Sequence, residues 1–180
     1  MKWLVSLIVV LTPHVAFAAC PAVADRSAEA GELFAGLQSA GNELEAQPFN
    51  RGLWEIWTDA PDELAQAMLD DGMSRIQVFD LAGAVDALDR LIAYCPDYAE
   101  GYNQRAFAYF LGGDFPSALR DLDRTLAILP DHVGALSGRG LTLIEMGRDD
   151  EAQDALRAAV DLNPWLGERV LLREPAGTDL

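Results

Sequence analysis

The chain has 180 residues and a formal net charge of −16, from 13 basic and 29 acidic residues. Lys2 is the only lysine, and the 12 arginines form no cluster, so nucleic acid and anionic lipid surfaces are excluded as partners. The excess acid reads as a solubilising surface on a single domain of ordinary size.

The first element is MKWLVSLIVVLTPHVAFA. One lysine precedes an apolar run from Trp3 to Leu11, Thr12 and Pro13 end the run, and Ala16 and Ala18 supply small residues at a cleavage site. This predicts a signal peptide over residues 1–18, too short to span a membrane, and export to a bacterial periplasm. Anchoring in the envelope or full secretion are the other destinations this leader allows. Cys20 and Cys95 are the only cysteines. Three states stay open for them: a Cys20–Cys95 disulfide, two free thiols, or a lipidated Cys20. The third arises because Phe17-Ala18-Ala19-Cys20 loosely resembles a bacterial lipobox, and it is the only route by which this chain would meet a membrane.

Residues 19–64 read as an N-terminal helical cap. An apolar stripe through Ala30, Leu33, Phe34, Leu37, Ala40 and Leu44 predicts a helix over 27–47, ended by Pro48-Phe49-Asn50-Arg51-Gly52. Leu53 to Trp57 follows as a short turn with Trp54 and Trp57 on one side, as a plug or as partner anchors. Asp59-Ala60-Pro61-Asp62 then opens the next helix near residue 60.

From there the chain repeats with a period of 34. Ala84, Ala118 and Ala152 stand in register, as do Leu88, Leu122 and Leu156, and Pro96, Pro130 and Pro164. The stretch AEGYNQRAFAYFLGGDFPSALRDLDRTLAILP, with Tyr102, Ala106, Tyr109, Ala118 and Pro130 at its key positions, resembles the tetratricopeptide repeat. The resemblance implies an all-α fold: a helix-turn-helix solenoid of three repeats over 65–166 (65–98, 99–132 and 133–166). The N-terminal helical cap precedes it, and a closing helix and tail over 167–180 follow, the helix starting near Trp165. Within the second repeat, Gly112 and Gly113 end a helix, Asp114 caps the next, and Pro116 sits in its first turn.

In this family the concave face is lined from the first helix of each repeat. The matching positions are Leu69, Met73 and Ile76, then Asn103, Phe107 and Phe110, then Ser137, Leu141 and Ile144, with Gln104 beside Asn103. Most are apolar, which a solvated helix face would not be. The family's clamp for an acidic C-terminal peptide needs lysines that this chain lacks. The expected ligand is a protein or peptide with apolar anchors and amide contacts to Asn103 and Gln104. Helix 27–47 is the internal candidate for covering the same groove.

Arg105 and Arg139 share one repeat position, and Asp89 and Asp123 another, 16 residues earlier. This predicts an Asp89–Arg105 and Asp123–Arg139 ladder between adjacent repeats. His132 lies alone in the turn between repeats 2 and 3, with no second histidine in the exported chain for a metal site and no phosphate-binding loop anywhere. The sequence therefore points to a non-enzymatic adaptor or assembly scaffold with no cofactor, no metal and no catalytic residues. The rivals are a lipid-anchored envelope subunit, a periplasmic enzyme and a dimer that buries its own groove.

Overall fold

A computed structural model describes residues 19–173, so the expected signal peptide 1–18 and the tail from Glu174 lie outside the described residues. Among the described residues the chain forms eight α-helices and no strand. They are α1 (Ser27–Ser39), α2 (Glu43–Trp57), α3 (Glu63–Gln77), α4 (Leu81–Tyr94), α5 (Ala99–Leu111), α6 (Phe115–Ile128), α7 (Val133–Glu145) and α8 (Asp149–Leu162), followed by a 3-10 turn, Gly167–Leu171. No helix among these residues is long and apolar enough to cross a membrane.

Helices α3 to α8 are three antiparallel pairs stacked in chain order. One contact recurs in each pair. Gly72, Ala106 and Gly140 are buried and face Leu88, Leu122 and Leu156 across the pair. A Cβ built on Gly72 would lie 2.7 Å from the Leu88 side chain, and one on Gly140 2.6 Å from Leu156, so the helices touch where a side chain would hold them apart. Ala84, Ala118 and Ala152 are completely buried one turn earlier on the second helices. Asp80 and Asp114 cap the second helices of the first two pairs in register, accepting from the backbone N–H three residues on at 3.1 and 3.2 Å. Arg148, at the same position of the third pair, makes no side-chain cap. Asp62 caps α3 in the same way as the other two aspartates, at 2.8 Å. Pro116 lies in the first turn of α6, as expected.

The turns inside the pairs also keep register, with one exception. Gly113 and Gly147 have φ of 76° and 70°. The equivalent residue in the first pair is Phe79, with φ of 61° and 67% of its surface exposed. A left-handed conformation costs a residue with a Cβ about 1–2 kcal/mol. Phe79→Gly is therefore expected to raise stability, by up to about 1 kcal/mol after the larger chain entropy of glycine is subtracted. Urea denaturation checks this, and an unchanged or lower midpoint would show that Phe79 makes contacts outweighing its strain.

The N-terminal region departs from the sequence reading. The expected helix over 27–47 is two helices, because the chain breaks at Ala40-Gly41-Asn42 and not at Pro48. Asn42 accepts from the Glu45 backbone N–H at 3.1 Å, and the Glu45 side chain accepts from the Gly41 N–H at 2.9 Å. This reciprocal cap starts α2 and carries it through Pro48 to Trp57. Pro48 frees the carbonyl of Leu44, which sits on an exposed part of the helix where water can reach it. The residues read as a short turn from Leu53 to Trp57 are the end of this helix.

The hairpin α1–α2 also does not cap the first repeat. It lies along the edge formed by the turns between repeats. Tyr98, in the first of these turns, donates its hydroxyl to the Trp57 carbonyl at 2.7 Å, and burial raises its pKa, keeping it a donor. His132, in the second, stacks on the Trp57 ring with centroids 4.1 Å apart. At the far end Gln38 Nε2 donates to the Asp161 and Leu162 carbonyls at 2.6 and 3.1 Å, and Trp165 Nε1 to the Leu37 carbonyl at 3.0 Å. Leu37, Leu53 and Trp57 are buried in one cluster with Val133, with Leu129, Leu162 and Trp165 packed against it. Cys20 and Cys95 form a disulfide that ties the segment before α1 to the end of α4.

The expected closing helix is a single 3-10 turn. It begins beyond Pro164 and leaves Val170 80% exposed, so it lacks the buried stripe an α-helix needs there. Gln153 fastens its end and the extended residues after it, donating to the Leu171 carbonyl at 3.0 Å and accepting from the Arg173 N–H at 2.7 Å.

The candidate groove

The first helices of the three pairs, α3, α5 and α7, line a concave face, and α2 stands along one side of it. Between them is an open cavity of about 480 Å³. Of the residues expected there, Met73, Ile76, Asn103, Gln104, Phe107, Phe110, Ser137 and Leu141 line it. Leu69 and Ile144 do not. Leu69 is completely buried in the cluster that contains Leu88, Leu91 and Tyr98. Ile144 packs against the Leu119–Leu143 cluster beside Met146. Each sits one turn along its helix from the groove, turned into the joint between helices.

The groove has a wall that repeat geometry did not announce. Asn50, Trp54 and Trp57 enter it from α2, and Leu166 and Glu168 from the C-terminal segment. Trp57 is buried against His132, whereas Trp54 is 36% exposed along the cavity, so the two tryptophans divide the roles of plug and exposed surface. The Trp54 ring passes over Gly134, where a Cβ would lie 3.0 Å from its edge. The hairpin thus supplies one side of the groove and leaves the centre open. Phe107, in the middle of α5, remains 47% exposed.

Beneath the floor lies a polar cluster that the sequence reading missed. Glu100 is 1% exposed and His132 is completely buried. His132 caps α7, its Nδ1 accepting from the Ala135 N–H at 3.1 Å. The ring proton therefore sits on Nε2, which donates to Glu100 Oε2 at 2.8 Å. Gln104 Nε2 donates to Glu100 Oε1 at 2.6 Å, and Asn103 Nδ2 reaches both oxygens at 3.2 and 3.3 Å. Nothing in the 34-residue register marks these residues, since Gln66 and Gly134 replace Glu100 in the neighbouring repeats and Tyr98 and Leu166 replace His132.

The ladder between repeats is present. Arg105 Nη1 lies 2.5 Å from Asp89 Oδ1, and Arg139 Nε lies 2.8 Å from Asp123 Oδ1. Arg105 has a further partner, Asp121, held by two parallel bonds of 2.7 and 2.8 Å. Bonding to Asp121 raises the Arg105 pKa above its ordinary value against the opposing effect of burial. Among the described residues no three His, Cys, Asp or Glu side chains are grouped to hold a metal ion.

No family model matches the chain. Individual proteins do. Tetratricopeptide repeat protein 36 of Homo sapiens is 32% identical over 136 residues, covering 73% of this chain and 72% of that protein. A TPR repeat-containing protein of Rhizobium etli is 29% identical over 133 residues, covering 74% of this chain but only 65% of that protein's length. Among solved structures, the TPR2B domain of yeast Sti1, in a complex with pHsp70, is 26% identical with a TM-score of 0.53, covering 54% of this chain and 78% of that one. The paired helices, their small-residue contacts and these relatives define an all-α helical-repeat protein. The chain belongs to the tetratricopeptide repeat family.

Proposed function

We propose that the protein is a non-enzymatic adaptor or assembly scaffold that holds an apolar segment of a partner protein in the concave groove, in the periplasm or cell envelope. The observation that carries this reading is Phe107. A phenylalanine left half in water at the centre of a concave face, beside Met73, Phe110, Leu141 and Trp54, loses hydrophobic free energy until something covers it. The hairpin α1–α2 packs on the turn edge and leaves that centre free. The yeast Sti1 domain, whose structure is of a complex with pHsp70, supports the use of this fold for holding a partner.

Export is supported by the leader of the sequence and by the Cys20–Cys95 bridge, because disulfides persist in oxidising compartments. The bridge also engages the sulfur that a lipid anchor would need, which favours the unanchored form over the lipidated one.

The test is crosslinking in the native envelope fraction, with wild type compared against the double variant Phe107→Glu, Leu141→Glu. Both side chains face the groove and not the core, so circular dichroism is expected to be unchanged. Placing two charges on the apolar face is expected to lower capture of the specific partner at least about tenfold. Equal capture by both proteins, or a dimer by light scattering that the double variant abolishes, would overturn the reading.

A further inference from the structure

The ligand class of this groove follows from the buried cluster below it, and the inference rests on the peptide-binding reading just given. Every partner of Glu100 is a donor: the His132 Nε2–H, the Gln104 amide and the Asn103 amide. A group that only accepts is a carboxylate. None of its partners is a cation. His132 is neutral because its Nδ1 accepts from Ala135, and Arg105 is spent on Asp89 and Asp121. A carboxylate that is 1% exposed therefore keeps its charge against neutral dipoles alone, an arrangement that is costly in a protein interior.

The charge also fixes two side chains above it. Asn103 and Gln104 are 6% and 8% exposed, and both turn their NH2 groups down to Glu100. Their carbonyl oxygens must then point the other way. No donor among the described residues reaches either oxygen, and neither is sealed from solvent, since no buried side-chain oxygen there is without a partner. Both residues line the groove. The floor of a largely apolar groove thus presents two acceptors polarised by a negative charge beneath them. The rim adds Glu168, and no Lys, Arg or His is among the lining residues.

We propose that the groove takes a basic-apolar segment of a partner protein, in which one Lys or Arg side chain is flanked by apolar anchors. The cation donates to the Asn103 and Gln104 carbonyls over Glu100, and the anchors cover Phe107 and Leu141. An acidic segment is disfavoured, because at the floor its carboxylate would meet the two amide oxygens and a buried like charge.

The probes are three synthetic peptides of about a dozen residues, long enough to cross a groove of this kind, with the same leucine and phenylalanine anchors around a central Lys, Gln or Glu. Each is titrated calorimetrically into purified protein at low and high salt. The Lys peptide is expected to bind about tenfold more tightly than the Gln peptide and the Glu peptide most weakly, with the Lys advantage shrinking in salt. Glu100→Gln is expected to reduce the Lys advantage to less than about twofold. Gln104→Met, which removes one acceptor at nearly constant volume, does the same if Glu100→Gln fails to fold. Glu168→Gln is expected to change it little. Gln or Glu peptides binding as tightly as Lys would overturn the inference and leave the groove reading standing. A Lys advantage that survives both Glu100→Gln and Gln104→Met would also overturn it. Binding by none of the three would overturn both readings, whereas loss of all three on Phe107→Glu alone supports the groove.

Discussion

Reducing the Cys20–Cys95 disulfide is expected to lower stability by about 4 kcal/mol, because the bridge closes a long loop in the unfolded chain. The two cysteines are 75 residues apart in sequence. In the folded state the bridge spans a gap the fold already brings together: Cys95 is 1% exposed in the cluster of α3 and α4, and Cys20 packs against that cluster. The loss therefore falls on the unfolded ensemble more than on native contacts. The hairpin keeps its other fastenings after reduction, through Gln38, Trp165 and Tyr98. Reduced protein is thus expected to stay folded but to unfold at a markedly lower urea concentration, and Cys20→Ser to behave like the reduced form. A midpoint insensitive to reductant would show that the unfolded chain gains nothing when the loop opens. The same measurement bears on export, since a bridge of this size matters only where thiols are oxidised.

Arg105→Ala is expected to cost about 3 kcal/mol or more, the scale for removing one partner of a buried ion pair. The Arg105 and Asp121 side chains are 18% and 10% exposed, and two parallel bonds join them. Removing the guanidinium leaves the Asp121 carboxylate between α5 and α6 without a partner. Replacing both residues at once, Arg105→Met with Asp121→Leu, is expected to recover most of the loss, because an apolar pair of similar volume carries no desolvation cost. Arg139→Ala is the internal control. Asp123 is 55% exposed, so that rung is expected to contribute less than about 1 kcal/mol. Urea unfolding of the three variants reads this directly. Equal losses for Arg105→Ala and Arg139→Ala would show that both are surface pairs.

These two cases also show what a repeat pattern reveals and what it hides. The Asp89–Arg105 and Asp123–Arg139 rungs were legible because the same residue types recur 34 positions apart. Asp121, the stronger partner of Arg105, was not, because its equivalents are Ala87 and Ala155. Glu100 and His132 escaped for the same reason, since neither recurs. The groove shows the limit in another way. Family register located Met73, Phe107 and Leu141, yet at Leu69 and Ile144 the same positions are closed over by local packing. The break between α1 and α2 is different again. Its cap, Asn42 with Glu45, stands in the sequence, but Pro48 is the more conspicuous breaker and drew the boundary to itself.

The amino-acid sequence by itself determined the three helix pairs. Their small residues, caps and turn residues act over a few positions or repeat at a constant spacing, so each signal is local or is seen several times over. Only the tertiary structure decided where the hairpin α1–α2 lies, which of its tryptophans stays exposed along the groove, and that a carboxylate sits beneath the floor. Those outcomes rest on single contacts between residues far apart in the chain: Trp165 with Leu37, His132 with Trp57, Glu100 with His132. Each is made once, by side chains with many possible partners, and its free energy appears only when the packed helices exclude water from it.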